Sequence, residues 1–463
     1  MRAFFEGLCR LMMRIFFRRI DVIGGDLVPT QGPVIFCLNH PNGLVDPLFI
    51  LCLSPRRVSF LAKAPLFRMP VVKAFVNAFE CLPVYRKQDG GDRSGNQRTM
   101  EAARALLSRG GSLALFPEGI SHNEPSLQPL RTGAARIALA AQSMIAQGQQ
   151  LHIVPAGLFY ESRGRFRSEA ALVYGEPLAV PRCELSDDAE PQAAAVQALT
   201  ARIEQALRGA TINADRVELV HLAASAAGLL LGAEDRDAAG AGERAQRMRE
   251  LLEGYRVLAQ QEPRLVEAML ERIRKHERDL AYAGLSPSHP RALPAPRVAR
   301  YVWRSALGLV ALSPLSLLGT VVNYPAYRAI GAIARRVSKG SEDILATVKL
   351  LGGLLLFPLS WILASVGIAV WLGGKPFAGL SWPGFGIGLL HLALAPLCAW
   401  AALWSAERLE VFGSGVRQLS LMLARRNLHV ALVEERDAIA AALRALAERV
   451  PPADGARANR GSA

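Results

Sequence analysis

Two stretches of this sequence, Leu350 to Leu372 and Gly384 to Trp404, are apolar throughout and carry no charged residue. A hydrocarbon layer ~30 Å thick, crossed at ~1.5 Å per residue, needs about 20 such residues. Inside lipid the backbone must satisfy its own hydrogen bonds, so each stretch is constrained to be a helix. The connector between them, 373 to 383, holds a single charge, Lys375. The basic residues lie outside the pair, at Arg335, Arg336, Lys339 and Lys349 before it and Arg408, Arg417, Arg425 and Arg426 after it. That asymmetry predicts a transmembrane hairpin with both ends in the cytoplasm. A third apolar segment, Ser305 to Val322, has Arg300 and Arg304 on one side and Arg328 on the other, and Pro314 interrupts it. A full crossing there would put the rest of the chain opposite the basic stretch 328 to 349, so a re-entrant or interfacial segment is expected. Gly384-Phe385-Gly386-Ile387-Gly388 opens an apolar span with no strand before it, which fits helix packing and not a dinucleotide loop.

The remainder is large enough for a buried core, with 463 residues and 51% hydrophobic content overall. A formal charge of +14 calls for an anionic partner. No zinc spacing, aromatic-basic ribonucleoprotein motif or helix-turn-helix pattern is present, which argues against nucleic acid. Much of the basic surplus borders apolar segments, where anionic membrane lipids are the natural counter-charge. The six cysteines are scattered and show neither pairing nor metal spacing. They are expected to be reduced and buried, and no metal site is expected. Residues 1–20 interleave Phe4, Phe5, Leu8, Met12, Ile15 and Phe16 with five arginines, the pattern of an interfacial amphipathic helix. The segment 184–296 is rich in Ala, Glu, Arg and Leu at helical spacing and reads as a helical insertion. The membrane region is placed at 297–404, a charged helical segment at 405–450 and a disordered tail at 451–463.

Between 21 and 183 short apolar runs alternate with helical stretches. Val34–Leu38, Val58–Leu61, Ser112–Leu115 and Leu151–Val154 read as strands, and Met100–Leu107 and Ala134–Gln147 as helices, which predicts an α/β layer with its site at the strand ends. The first run empties into Asn39-His40-Pro41-Asn42-Gly43-Leu44-Val45-Asp46-Pro47, and the third into Phe116-Pro117-Glu118-Gly119. A histidine and an aspartate a few residues apart at a strand exit suit a general base and the carboxylate that orients it. Five residues separate them, which on an ideal helix leaves the side chains about 240° apart, so His40 must lie on a turn. Gly43 supplies the backbone freedom for that turn, and Asp46-Pro47 reads as N-cap and first residue of a helix Pro47–Leu53.

Four blocks occur in order: Asn39-His40…Asp46, Leu82-Pro83-Val84-Tyr85-Arg86, Phe116-Pro117-Glu118-Gly119 and Ile153-Val154-Pro155-Ala156. In these the chain resembles the glycerolipid acyltransferase superfamily over roughly residues 20 to 180. Most of that superfamily has four residues between the histidine and the aspartate. The five found here, with Ser121-His122, Leu127 to Ala135 and Asp343-Ile344-Leu345-Ala346-Thr347-Val348-Lys349, are similar to its fungal glycerol-3-phosphate and dihydroxyacetone-phosphate branch. The resemblance implies an α/β acyltransferase domain, a mixed sheet flanked by helices, joined here to a helical insertion and C-terminal transmembrane helices.

It further implies that His40 removes the acceptor hydroxyl's proton while Asp46 fixes the imidazole. Attack on the thioester is then direct, in keeping with the absence of a Gly-x-Ser-x-Gly elbow. Arg86 matches the family's acceptor-binding arginine, and Glu118 and Gly119 its acceptor-binding block. Arg131, before a helix opening at Thr132-Gly133, is a second candidate for the acceptor phosphate, because a guanidinium fork matches phosphate oxygens. His122 has no acidic partner at a readable spacing and is given no role. The expected co-substrate is acyl-CoA or acyl-carrier protein, with no cofactor. Glycerol 3-phosphate is the expected acceptor, and lysophosphatidate or another lysophospholipid the alternative. A non-catalytic lipid-binding scaffold on the same fold is the reading from a different class.

Overall fold

The computed structural model describes residues 1–85, 93–183, 192–231, 240–285, 295–338, 342–373 and 382–449. It divides into two compact units. The first comprises Met1–Val220, Ala239–Leu252 and Ser341–Thr347, and the second His221–Ala238, Glu253–Gly340 and Val348–Ala463.

The first unit is built on a mixed sheet of eight strands: β1 (Phe17–Ile23), β2 (Val34–Leu38), β3 (Ser59–Lys63), β4 (Leu82–Val84), β5 (Ser112–Leu115), β6 (His152–Tyr160), β7 (Ser168–Tyr174) and β8 (Leu178–Ala179). Their order is β1-β7-β6-β2-β5-β3-β4, with β8 beside β6. The pairs β6–β7 and β6–β8 are antiparallel and the others parallel. β2 sits at the centre between two parallel neighbours and is buried along its whole length, which is why Val-Ile-Phe-Cys-Leu has no polar alternation. Its register sets Cys37 opposite Leu115 of β5 and Leu38 opposite Ala156 of β6. The chain segments leaving β2 and β5 therefore emerge level with each other at one edge of the sheet.

Helices cover both faces. On one, α4 (Arg93–Ser108), α5 (Gly133–Met144) and α6 (Ala193–Ala210) bring Leu107, Ile137, Leu139, Leu199 and Ile203 onto Ile35, Cys37, Leu113 and Ile153. On the other lie α1 (Arg2–Phe16) and α2 (Val45–Leu53), where Phe49 meets Phe17 and Tyr160 edge-on in one aromatic cluster. α3 (Pro70–Ala78) packs beside α1 through Phe75 against Phe5.

Three boundaries differ from those read in the sequence. The sheet begins at Phe17, not at 21, because β1 pairs with β7, and buried Glu169 on β7 holds both Arg18 and Arg244. Only Arg2–Phe16 is helical; it buries Cys9, Met13 and Phe16 while Phe4, Leu11 and Ile15 remain exposed. The unit also runs past 183, since α6 is one of its core helices. The end of α6 lies so close to β6 that a Cβ on Gly157 would fall 1.9 Å from the Ala210 carbonyl oxygen. The segment 240–252 belongs here too, with Gly242 donating its amide to Asp21 at 2.9 Å. All six cysteines are free thiols.

The second unit is helical. Its elements are most of α7 (Val217–Leu230), the C-terminal part of α8 (Ala241–Gln261, whose residues up to Leu252 belong to the first unit), α9 (Pro263–Tyr282), α10 (Ala295–Ser338), α11 (Glu342–Gly373, from Val348 onward), α12 (Trp382–Ala424) and α13 (Arg426–Ala447). α10, α11 and α12 each contain a stretch long and apolar enough to cross a membrane. α10 is continuous through Pro314, so the interruption expected within 305–322 is absent. Proline removes the amide that would bond the Val310 carbonyl, and the Ser313 hydroxyl donates to that oxygen at 2.8 Å instead. Likewise α12 runs unbroken past 404 to Ala424, and the helix changes direction only at Arg425, where φ is −135° and ψ 54°. The helices approach closely where side chains are small: a Cβ on Gly319 would lie 2.0 Å from the Cys398 carbonyl oxygen. Polar side chains pair between them, Trp361 with Asn323 at 2.8 Å and Ser365 with His391 at 2.7 Å. The connector 374–381, Lys339 and the tail 450–463 lie outside the described residues.

Candidate active site

The two segments that leave β2 and β5 meet. Asn39, the first residue beyond β2, ties its side-chain amide to the backbone of Leu158 on β6 in both directions, at 2.7 and 3.2 Å. This anchors the turn that carries His40. The turn continues through Gly43 at φ +43°, whose amide donates to the Ser121 hydroxyl at 3.1 Å. It ends in α2, which starts at Val45 with Leu44 as its N-cap, two residues before the expected start.

Asp46 is therefore not a cap but lies inside the first helical turn, where the free amides of the helix end favour a negative charge. Its carboxylate is fully buried and completely engaged. Oδ2 accepts from His40 Nδ1 at 2.8 Å and from the Asn42 amide at 2.7 Å, while Oδ1 accepts from the Tyr160 hydroxyl at 2.6 Å. Burial, reinforced by the Asp46 charge, holds the Tyr160 hydroxyl well above the usual phenol range, so it remains a donor. A carboxylate can only accept, which makes Nδ1 the protonated nitrogen of His40 and leaves the lone pair on Nε2. The ring is fixed by stacking on Phe116, with centroids 3.7 Å apart and planes 3° from parallel. Nε2 has no hydrogen-bond partner among the described residues.

Glu118 turns inward. It is 3% exposed; Oε1 accepts the His40 amide at 3.0 Å, and Oε2 accepts the Gln128 amide at 2.8 Å and pairs with His122. These bonds brace the turn that holds the histidine. They also supply the acidic partner of His122, four residues earlier on a turn where no helical periodicity could reveal it. Gly119 adopts φ +73°, and a Cβ there would lie 2.7 Å from Arg131 Nε. The missing side chain lets the Arg131 stem cross the backbone, with the Arg131 amide bonded to the Pro117 carbonyl at 2.8 Å. The Arg131 guanidinium is exposed and makes no ion pair with a described residue. His40, Asp46, Glu118, Gly119 and Arg131 thus form one contiguous set. Arg86 lies outside the described residues, immediately after Tyr85, whose backbone is held by Asn96 at 3.0 and 2.6 Å.

Two contributors were not foreseen from sequence. Tyr160 closes β6 and carries no local motif. Thr347, in the opening turns of α11, accepts the Leu44 amide on its hydroxyl at 3.2 Å and is itself buried. Beside it Leu345 fills the space over Gly164, where a Cβ would come within 2.6 Å. The block Asp343 to Lys349 gave a signal by its likeness to the fungal branch, but nothing in it pointed to this turn.

Chemically, the arrangement can offer an imidazole with a fixed tautomer, a buried carboxylate behind it, and, across Gly119, the Arg131 guanidinium. Comparison with known proteins places the chain among acyltransferase sequences. Residues 19–158 match the family model described as Acyltransferase. An uncharacterized acyltransferase of Schizosaccharomyces pombe is 25% identical over 96% of this chain and 80% of its own length. Glycerol-3-phosphate O-acyltransferase 2 of Saccharomyces cerevisiae is 39% identical over 19% of this chain and 12% of its own length. Glycerol-3-phosphate O-acyltransferase 1 of the same yeast is 22% identical over 78% of this chain and 60% of its own length. The segment 19–158, which holds β1 to β6 and the His40–Asp46 turn, thus matches the acyltransferase family.

Proposed function

We propose that this O-acyltransferase transfers a fatty acyl group from acyl-CoA, or from acyl-carrier protein, to glycerol 3-phosphate, giving lysophosphatidate. The observation that carries the reading is the His40–Asp46 pair: Nδ1 is committed to a buried carboxylate and Nε2 is left for a substrate proton. The acceptor hydroxyl gives its proton to Nε2 as its oxygen attacks the thioester carbonyl. The thiolate leaves and takes up a proton, which the imidazolium can return. Arg131, with Arg86, would hold the acceptor phosphate. Leu44 and Ile120, both 44% exposed, offer an apolar rim for the acyl chain. No cofactor is needed for these steps.

Glycerol 3-phosphate is preferred over lysophosphatidate because two relatives bear its name and because of the five-residue His–Asp spacing. The apolar stretches of α10, α11 and α12 support a membrane protein in which α11 and α12 cross as a hairpin with both ends in the cytoplasm; α10 lying along the membrane without crossing it keeps the acyltransferase domain on that same side. The test is a panel of glycerol 3-phosphate, dihydroxyacetone phosphate and lysophosphatidate, offered with labelled palmitoyl-CoA to detergent-purified protein. Turnover of glycerol 3-phosphate supports the reading, and turnover of lysophosphatidate alone moves the enzyme one acylation later. No turnover with any acceptor, over donors that include acyl-carrier protein, would favour a lipid-binding scaffold.

A further inference from the structure

A recess of about 350 Å³ opens between α10 and α12, lined by Arg297, Arg300, Tyr301, Arg304 and Arg408. Four of its five lining residues are guanidinium groups and none is a carboxylate. Arg300 and Arg304 lie one helical turn apart on α10 and make no ion pair with a described residue. Arg408, on α12, is drawn inward over two aromatic faces, 5.2 Å from the Tyr301 ring centroid and 5.7 Å from that of Trp404. Its Nε is buried without a hydrogen-bond partner. So much positive charge in one concavity, with a buried donor unused, asks for an anion with several acceptor oxygens.

Position narrows the anion further. The apolar run of α10 begins at Ser305, directly after Arg304, and that of α12 ends at Trp404, four residues before Arg408. The two ends are level: a Cβ on Gly308 would meet the Trp404 ring at 2.8 Å. The recess therefore sits where apolar helix surface gives way to charge, with Tyr301 and Trp404 as the aromatic residues of such a boundary. From it Trp303, Leu307 and Val310 descend α10 at helical spacing, 66%, 54% and 72% exposed. We propose that this recess binds the phosphate of an anionic phospholipid, whose acyl chains lie along the Trp303–Leu307–Val310 stripe. The site is separate from His40, and its test reads binding, not turnover.

The full chain is purified in a neutral detergent, immobilised, and exposed to micelles containing radiolabelled phosphatidate, with phosphatidylcholine as the zwitterionic control. The expected result is retention of phosphatidate in excess of phosphatidylcholine. R300Q should lower that excess by about fivefold, and R300Q/R304Q should lower it further, at roughly one such factor per arginine. Both positions are exposed, so the fold should survive, as size exclusion and circular dichroism can verify. R408Q is measured separately because that side chain also packs on two rings. Competition by millimolar inorganic phosphate would identify a free phosphate group as sufficient, whereas resistance to it would assign the site to lipid; either keeps the phosphate site. Equal retention of the two lipids, or unchanged retention in folded R300Q/R304Q, overturns it.

Discussion

Replacing Asp46 by asparagine separates charge from geometry at the proposed base. The position that Oδ2 now occupies receives two donors, His40 Nδ1 and the Asn42 amide, so an NH2 group there would face both. The position of Oδ1 faces only the Tyr160 hydroxyl, which can rotate and accept. The asparagine should therefore keep its oxygen toward His40 and its nitrogen toward Tyr160, retaining the His40 tautomer and losing only the negative charge. An imidazolium about 4 Å from a carboxylate at an effective dielectric of about 20 gains roughly 4 kcal/mol, or about three decades in rate. The assay is kcat for acyl transfer by D46N, with the fold checked by thermal unfolding. The expected outcome is a drop of about a thousandfold with KM for the acceptor little changed. In D46N/Y160F the nitrogen loses its acceptor, and stability should fall by a further ~1–3 kcal/mol. If D46N stayed within tenfold of wild type, the Asp46 charge would not be acting on His40, and the His–Asp base would have to be abandoned.

Thr347→Val removes the acceptor of the Leu44 amide and should lower kcat by up to about tenfold, the worth of one neutral hydrogen bond, with recovery in T347S. An equal loss in T347V and T347S would mean that packing, not the hydroxyl, holds the turn. Gly119→Ala places a Cβ at φ +73° against Arg131 and should raise KM for a phosphate-bearing acceptor more than it lowers kcat. An unchanged KM would separate Arg131 from the acceptor. Burial holds His276 and His429, on α9 and α13, below the usual histidine range. The unfolded chain thus binds more protons than the folded one on the acid side. The contribution of these imidazoles to stability is complete above the unfolded value of ~6.5 and is lost as pH falls through their lower folded values. Hydrogen exchange should show α9 and α13 losing protection from pH 7 to 5 in the wild type and less so in H276L/H429L; equal loss in both would remove these histidines as the cause.

The parts of this molecule legible in its sequence are those governed by local pattern. Val34–Leu38 and Ser112–Leu115 were readable because central parallel strands are buried on both faces and need continuous apolar runs. Their exits carried His40, Asp46 and Glu118, and sheet register alone was enough to bring the two exits together. Capping was misread at Asp46 because an aspartate before a proline is a common helix start. Here His40 and Asn42 of the same turn, with Tyr160 from β6, take the carboxylate, and the helix begins earlier. Pro314 suggested a break for a sound local reason, which the hydroxyl one residue before it offsets. Glu118 was readable as part of the site but not in its role, since whether a carboxylate faces inward or outward depends on distant amides, those of His40 and Gln128. Tyr160 and Thr347 lie 114 and 303 residues from the groups they hold, and no local period or spacing encodes such contacts.

The most direct measurement is a pre-steady-state transfer assay with labelled palmitoyl-CoA and glycerol 3-phosphate, comparing wild type with His40→Ala, the protein being quenched and examined for covalent label. The account predicts lysophosphatidate from the wild type, no covalently labelled protein at any time, and product formation abolished in H40A while acyl-CoA still binds. Labelled wild-type protein that chases into product, or transfer that persists in H40A, would contradict direct attack assisted by His40.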